Sequence, residues 1–171
     1  RKTALSGEPQ VTDPYLSPFA SPTVFLTMSV SDPSGRIMGV IAGGIDLLGF
    51  NFLSQMSDVT FGRHGYLYLV NTDRTLIVHH DRTRTGQRDV PVGVNPLFDR
   101  AMTGFEGTED TITSKRQLTL TSFKRLQTVN WVIGANYPQA TVYAPIWAAV
   151  RYALIDTILA VFLSLVAVWL L

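Results

Sequence analysis

The sequence predicts an α+β fold, in which an antiparallel sheet of about five strands has flanking helices and is followed by a transmembrane helix. Two observations carry this prediction. Between residues 62 and 137, short polar turns separate runs of alternating apolar residues, which is typical of antiparallel hairpins. The C-terminal run TILAVFLSLVAVWLL, residues 157–171, contains no charge, which is typical of a membrane-spanning helix.

Composition excludes several classes of function. The chain has 171 residues, a formal net charge of +1 and no cysteine. Because the arginines are scattered and the charge is near zero, no basic surface for nucleic acid is expected. Without cysteine there is no disulfide framework, thiolate metal site or cysteine nucleophile. The chain begins at Arg1 and ends within an apolar run, so we expect a piece of a longer protein.

The first third of the chain is expected to hold an extended segment, a hairpin and a helix. Residues 1–22 are rich in Pro, Ser and Gly, and predict the end of a helix followed by an extended loop. Two alternating runs, residues 23–32 and 36–47, flank the turn sequence DPSG and predict a hairpin. The apolar spacing in LLGFNFLSQMSD, residues 47–58, predicts a helix. Its apolar face would carry Leu48, Phe52, Leu53 and Met56.

The segment FGRHGYLYLVNTDRTLIVHHD, residues 61–81, predicts a second hairpin. Its strands would be 66–70 and 75–79, and its turn NTDR would be set by Asn and Asp side chains that bond to their own backbone. A helix is expected over residues 95–103, because Asn95 can cap it and Pro96 suits its first turn.

The remaining residues predict a hairpin around Lys115 and Arg116, a final strand NWVIGANY, and a helix from Pro138 into the membrane segment. Pro145 lies inside that helix, so we expect a kink or local break over residues 141–145. Trp147 and Trp169 are spaced to mark the two faces of a bilayer.

No catalytic or metal-binding motif is present. His79 and His80 are adjacent, and adjacent strand residues point to opposite faces, so the two imidazoles are not expected to hold one metal. One of them could face a pocket. The serines lie in no nucleophile elbow, and GVIAGG lacks the ending of a phosphate loop. We therefore predict that this chain has no catalytic activity and no cofactor.

A pocket on the sheet would be formed by aromatic strand residues and nearby charged groups. Arg100 and Lys124 could bind an acidic ligand such as a carboxylate. The alternative for Arg100 is a surface ion pair with Asp99 or another neighbour. The predicted wall and mouth consist of Tyr68, His79, Asp99, Arg100, Phe123 and Lys124.

The sequence resembles a known family over most of its length. GRHGYLYLVNTDRTLIVHHD resembles the signature of Cache domains, which are extracytoplasmic PAS-like sensors. PVGVNPLFDRAMTGFEGT and LTSFKRLQTVNWVIGANYPQATVYAPI resemble the helix, last strands and exit helix of such a domain. The segment from VTDPYL to GGIDL is similar to the closing hairpin of the membrane-distal half of a double Cache domain.

The resemblance implies three parts. Residues 1–58 would be the C-terminal part of the membrane-distal module with a connecting helix. Residues 59–137 would be the membrane-proximal, PAS-like module, and residues 138–171 an exit helix and truncated transmembrane helix. The rest of the distal module would precede Arg1, and a cytoplasmic output domain would follow Leu171.

The implied function is small-molecule sensing for a bacterial signal transduction protein of the inner membrane, with residues 1–146 in the periplasm. RTLIVHHD and LTSFKRLQTVNW most resemble sensors of cyclic-di-GMP enzymes of the GGDEF and EAL types, which implies a diguanylate cyclase or phosphodiesterase output. A histidine kinase, a chemoreceptor and a spacer module that binds nothing remain alternatives. The expected partners are an unknown small molecule, the lipid bilayer and a second copy in a homodimer, without nucleic acid.

One position departs from the amino-acid-binding members of that family. Those members carry an aspartate near the end of the distal hairpin in an ADI or GDI context, where this chain has Gly44 in GGIDL. Asp46 lies two residues later. The tyrosine, arginine and tryptophan of the motif would lie before Arg1, so the resemblance does not extend to amino-acid sensing.

Overall fold

Two antiparallel sheets and one long helix build the protein. The computed structural model describes residues 8–16, 21–62 and 64–170. The predicted helix end near the N-terminus falls within residues 1–7 and lies outside the described residues. In chain order the elements are β1 (Gln10–Val11), β2 (Tyr15–Leu16), β3 (Pro22–Ser31), β4 (Ile37–Asp46), α1 (Ser54–Ser57), β5 (Thr60–Phe61), β6 (Gly65–Asn71), β7 (Leu76–Val78), a 3₁₀ turn (Arg82–Arg84), α2 (Pro96–Met102), β8 (Gly107–Ile112), β9 (Leu118–Arg125), β10 (Trp131–Pro138) and α3 (Gln139–Leu170).

The first sheet is built on the predicted hairpin β3–β4, which is confirmed. The strands pair antiparallel from Thr23 opposite Asp46 to Ser31 opposite Ile37, and β1 and β2 pair with β3. The Asp32 carboxylate accepts hydrogen bonds from the backbone N–H groups of Ser34 and Arg36, which closes the turn as the DPSG sequence predicts.

The second sheet has six strands in the order β5-β6-β10-β9-β8, and β7 pairs with β6. Every pairing is antiparallel. The prediction of one antiparallel sheet of about five strands over residues 62–137 is therefore confirmed. The additional strand β5 has two residues, too few to give an alternating pattern.

Helix α2 forms where the sequence predicts it, within one residue at each end. The Asn95 side chain accepts a hydrogen bond of 3.0 Å from the Phe98 backbone N–H, and Pro96 occupies the first turn. Gly104, at a φ of +114°, turns the chain away after the helix.

The helix predicted over residues 47–58 is wrong, because only Ser54–Ser57 is helical. The Asp46 carboxylate accepts from the Leu48 N–H, and the Asn51 amide donates to the Asp46 and Gly49 carbonyls. These local bonds offer the backbone an alternative to helical pairing.

The six-stranded sheet packs on both faces. We call the face covered by α2 the helix face, where the core consists of Tyr68, Val70, Leu76, Val90, Leu97, Phe98, Ala101, Phe123 and Val132. We call the opposite face the hairpin face, where the core consists of Val24, Leu47, Leu53, Leu69, Ile77, Val78 and Trp131. The β3–β4 hairpin thus joins the second sheet through a shared apolar layer.

Helix α3 follows β10 without a connecting loop and is long and apolar enough to cross a membrane. Pro138 stays in β10, paired with Thr119, so the helix begins one residue later than predicted. Of the kink or local break expected near residues 141–145, the break is wrong, because the helix continues through Pro145, and the kink stays a prediction. A proline removes a single helical hydrogen bond, and the bonds on either side let the helix continue.

Candidate functional site

A small cavity lies on the helix face, between the sheet, α2 and the loop that follows β7. Its volume is about 20 Å³, which is room for one water and no larger ligand. We call it the closed cavity. It is lined by Tyr68, Leu76, His79, Arg84, Val90, Asn95, Phe98, Thr113 and Ser114.

Three of the six predicted site residues come together here. Tyr68 and His79 line the closed cavity. Phe123 lies beside it, with its ring edge-on to Tyr68 at 6.2 Å and to Phe98 at 6.0 Å between centroids. All three predicted residues are buried, so they form an aromatic floor under α2.

The charged residues of the prediction lie outside the closed cavity and have carboxylate or cationic partners. Asp99 accepts from Arg74 at 2.6 Å. Arg100 donates both of its terminal nitrogens to Glu109, at 2.6 and 3.1 Å, and Lys124 pairs with Glu106. An incoming anion would have to compete with these carboxylates.

The cation that does line the closed cavity is Arg84, which the sequence analysis missed. Its guanidinium pairs with the Asp89 carboxylate, with one hydrogen bond at 2.8 Å. It also lies 3.1 Å from His79 Nε2 and donates to Ser114 Oγ at 3.2 Å. No sequence pattern distinguishes Arg84 from the four other arginines in residues 63–88, since only the path of the loop turns it inward.

His79 is held neutral in this cavity. Burial, and secondly the charge of Arg84, lower the pKa of His79 to about 3. Two donors approach the ring, the Asp81 N–H at 3.0 Å from Nδ1 and Arg84 at 3.1 Å from Nε2. A neutral imidazole has one acceptor nitrogen, so the remaining ring N–H faces a donor and lacks an acceptor.

The expectation that His79 and His80 face opposite sides is wrong. Their ring centroids are 4.4 Å apart, and both rings contact Tyr66, at 5.4 and 3.8 Å. The reason is that β7 ends at Val78, so strand alternation no longer applies to the two histidines. Within the described ranges of the chain, no group of three or more His, Cys, Asp or Glu side chains could hold a metal ion.

A second, much larger space opens on the same face where α3 leaves the sheet. Its volume is about 890 Å³, and we call it the exit cleft. One wall comes from the sheet and the segments beside it, and the other wall from the first turns of α3. It is lined by Thr60, His64, Gly65, Tyr66, His80, Gln117, Leu118, Thr119, Pro138, Gln139, Ala140, Tyr143 and Trp147.

A layer of hydrogen bonds separates the closed cavity from the exit cleft. The hydroxyls of Thr119 and Thr121 are 2.9 Å apart, and Thr121 donates to the Asn136 amide oxygen at 2.8 Å. The Asn136 amide nitrogen donates to the Tyr66 hydroxyl at 2.8 Å. This layer crosses β9, β10 and β6, so it links the floor of the exit cleft to three neighbouring strands.

Comparison with known proteins gives relatives for this architecture. The chain is similar to the methyl-accepting chemotaxis protein PctB of Pseudomonas aeruginosa, with 25% identity over 158 residues, 91% of this chain and 24% of that protein. Among solved structures it is similar to the ligand-binding domain of Mlp24 with asparagine, at a TM-score of 0.56 and 20% identity, covering 81% of this chain and 54% of that one. It is also similar to the extracellular domain of mmHK1S-Z3, described as a histidine kinase, at a TM-score of 0.66 and 15% identity, covering 82% and 53%.

The chain spans about half the length of these solved domains and about a quarter of the chemotaxis protein. The likeness to these solved structures, at 20% and 15% identity, shows a common fold. The family assignment rests on the match of the sequence to a family model. The family model described as "Cache domain" matches residues 2–146, which include both sheets and the start of α3. The chain therefore belongs to the Cache domain family, as its signature segments predict.

Proposed function

We propose that this chain is the extracytoplasmic ligand-sensing region of a bacterial membrane signalling protein, and that α3 carries its signal through the bilayer. The observation that carries the proposal is the direct junction of β10 with α3. Strand β10 lies between β6 and β9 in the sheet, and its last residue, Pro138, immediately precedes the first residue of α3, Gln139. A displacement of the sheet therefore reaches the helix without passing through a loop.

The ligand pocket proposed for the proximal module is an opened form of the closed cavity. The floor of this opened pocket would consist of Tyr68, His79 and Phe123. Its mouth would be lined by Asp99, Arg100 and Lys124. Arg84 adds the central cation. Its guanidinium fits a planar carboxylate in bidentate geometry, and a carboxylate between Arg84 and His79 would also give the ring N–H its missing acceptor.

This chemistry favours a small carboxylate as the ligand. Binding would replace Asp89 as the partner of Arg84 and widen the space under α2. The likeness to a domain solved with asparagine, itself a carboxylate, supports the same class. The departure at Gly44 concerns the distal module and does not bear on this pocket.

A thermal-shift screen of the chain against small carboxylates tests the proposal. A ligand at 100 times its Kd adds about 2.7 kcal/mol to the free energy of unfolding. Arg84→Gln should abolish the stabilisation. The matched control Arg88→Gln, four residues along the same loop with a mostly exposed side chain, should retain it.

A spacer module that binds nothing is the second candidate, and the closed state of the cavity, at about 20 Å³, favours it. If no carboxylate stabilises the protein, or if Arg84→Gln and Arg88→Gln respond alike, the closed cavity is a packed core and the spacer function holds.

The remaining parts of the proposal concern the whole protein. Residues 1–58 belong to the distal module, 59–137 form the proximal module and 138–171 the exit and membrane helix of a homodimer in the inner membrane, with residues 1–146 in the periplasm. The output domain is a cyclic-di-GMP enzyme, which the resemblance of RTLIVHHD and LTSFKRLQTVNW to sensors of such enzymes favours. The alternative is a chemoreceptor or histidine kinase domain, since the similar proteins belong to these classes.

Cysteine crosslinking along residues 147–165 tests the dimer and the conducting helix together, because the chain has no cysteine of its own. Crosslinks between copies are expected on one face of α3, in a pattern that changes when ligand binds. An unchanged pattern while the output responds would mean that α3 is not the conductor.

A further inference from the structure

We infer that the exit cleft is a second ligand site, which takes a neutral, planar aromatic molecule and acts on α3 directly. The inference deepens the proposed sensor function and rests on it. The exit cleft shares no lining residue with the closed cavity. The two sites can therefore be tested separately.

The dimensions of the exit cleft suit a small molecule. At about 890 Å³ it lies within the range of small-molecule sites, roughly 300–1,000 Å³. It is concave and combines apolar side chains with a few polar groups, as such sites do. The Thr119 hydroxyl is buried at its floor, where the layer of hydrogen bonds with Thr121 and Asn136 fixes it.

The lining combines aromatic side chains and histidines with polar and apolar groups. Tyr66 and His80 pack with centroids 3.8 Å apart on the sheet side, and Tyr143 and Trp147 face them from α3. Among the described residues that line the cleft there is no Asp, Glu, Lys or Arg. Desolvation is the largest influence on His80 and lowers its pKa, which favours the neutral ring.

This lining selects the ligand by its charge and shape. An anion would leave water without meeting a Lys or Arg in the lining, which is costly, whereas a flat neutral ring can stack on the aromatic side chains. The edge of such a ring would meet the Thr119 hydroxyl and the amides of Gln117 and Gln139. A neutral aromatic amide or phenol has both features.

The cleft is also placed to move the helix. Gln139, Tyr143 and Trp147 are spaced by four residues, so they lie on one face of α3, the face toward the cleft. Because Pro145 has no N–H, the Thr141 carbonyl lacks its helical partner, which weakens the helix in the turn that walls the cleft.

Among the described residues, one side-chain hydrogen bond joins α3 to the sheet. The Tyr143 hydroxyl donates to the Asp110 carboxylate of β8 at 3.2 Å and ties the helix to the edge of the sheet. A ring inserted beside Tyr143 would shift that side chain and lengthen this bond. The angle between α3 and the sheet would then change without any relay through the closed cavity.

Fluorine NMR with 4-fluorobenzamide tests the site in the chain reconstituted in lipid nanodiscs. We expect saturable broadening of the fluorine signal, weaker for the anionic 4-fluorobenzoate. Tyr143→Ala should lower the affinity for 4-fluorobenzamide about fivefold, because one stacking partner is lost. The matched control Tyr152→Ala, on the same helix outside the cleft, should leave the affinity unchanged.

A second variant covers the case in which Tyr143→Ala perturbs the helix. Thr119→Val keeps the shape of the floor and removes its hydroxyl, so it should weaken 4-fluorobenzamide binding and leave binding of fluorobenzene unchanged. Equal affinities in all variants, or stronger binding of the benzoate, would overturn the inference. Binding that occurs in nanodiscs with two copies of the chain and is absent from nanodiscs with one copy would place the ligand between copies and would also overturn the inference.

The outcomes of these experiments distinguish a failure of the exit-cleft inference from a failure of the proposed sensor function. Loss of 4-fluorobenzamide binding in Tyr143→Ala, without any carboxylate stabilisation that depends on Arg84, would support the exit cleft as a site and contradict the proposed carboxylate sensing. A carboxylate response that depends on Arg84, without any binding of 4-fluorobenzamide, would do the reverse.

Discussion

At the scale of single residues, Gly134 decides where Tyr68 lies. The two residues are paired across β10 and β6, and the Tyr68 ring covers the glycine so closely that a Cβ there would overlap it. Gly134→Ala should displace the ring and lower the free energy of unfolding by about 1–3 kcal/mol. Urea unfolding followed by circular dichroism measures the loss.

The matched control is Gly39→Ala in β4. A Cβ at Gly39 meets nothing within 4 Å, so this substitution in a strand should be neutral or slightly stabilising. If both variants lose stability equally, the cost is a property of strand glycines in general and the close approach of Tyr68 is not its cause.

His79 makes the stability of the protein depend on pH. Its folded-state pKa of about 3 lies below the ordinary value of 6.5, so the unfolded state binds the proton more tightly. Stability is therefore intact above pH 6.5 and falls as the pH is lowered toward 3. Between pH 7 and pH 5 this one group should cost about 2 kcal/mol.

The variant His79→Gln should reduce the loss between pH 7 and pH 5 by this amount. Carboxylates with lowered pKa values, such as Glu106, lose their contribution at lower pH and do not interfere in this window. An equal loss in the variant would assign the dependence to other groups. If the variant does not fold, the imidazole nitrogen shifts of the parent protein report directly whether His79 stays neutral at pH 5.

At the scale of elements, α2 depends on its cap. The buried Asn95 side chain accepts from the Phe98 N–H at 3.0 Å and from the Thr111 hydroxyl at 2.9 Å, so it joins α2 to β8. Asn95→Ala removes the acceptor and leaves both donors without a partner, which should cost about 1–2 kcal/mol in thermal unfolding.

Asn95→Asp keeps an acceptor at the start of the helix and should lose less stability than the alanine variant. An equal loss in the two variants would show that the amide's size, and not its acceptor, stabilises α2.

At the scale of the whole molecule, the prediction concerns the depth of α3 in a membrane. Trp147 and Leu159 are twelve residues apart, about 18 Å along a helix at 1.5 Å per residue. In vesicles, a membrane-impermeant maleimide should label Trp147→Cys quickly and Leu159→Cys slowly, because only the first lies near the headgroups. Both should label after dissolution in detergent. Equal rates in vesicles would mean that α3 does not enter the bilayer at this depth.

The elements that the sequence predicts correctly are those with local signals. The β3–β4 hairpin has an alternating pattern and a turn whose Asp32 bonds to its own backbone, and α2 has a cap, a first-turn proline and a closing glycine. The segment 47–58 has the apolar spacing of a helix, but Asp46, just before it, and Asn51, within it, bond to the backbone through their side chains, and these bonds replace helical pairing. Spacing alone could not reveal that competition.

The sequence by itself determined the antiparallel sheet, the apolar length of α3 and the family, since each depends on residues close together in the chain. Only the tertiary structure decided which side chains share a space. Arg84 lines the closed cavity, while Arg100 and Lys124, the cations predicted there, pair with Glu109 and Glu106. The exit cleft likewise joins Tyr66 to Tyr143 across 77 positions of the chain. The physical reason is that burial and ion pairing depend on distances between remote segments, and these are set by the packing of the sheet against its helices.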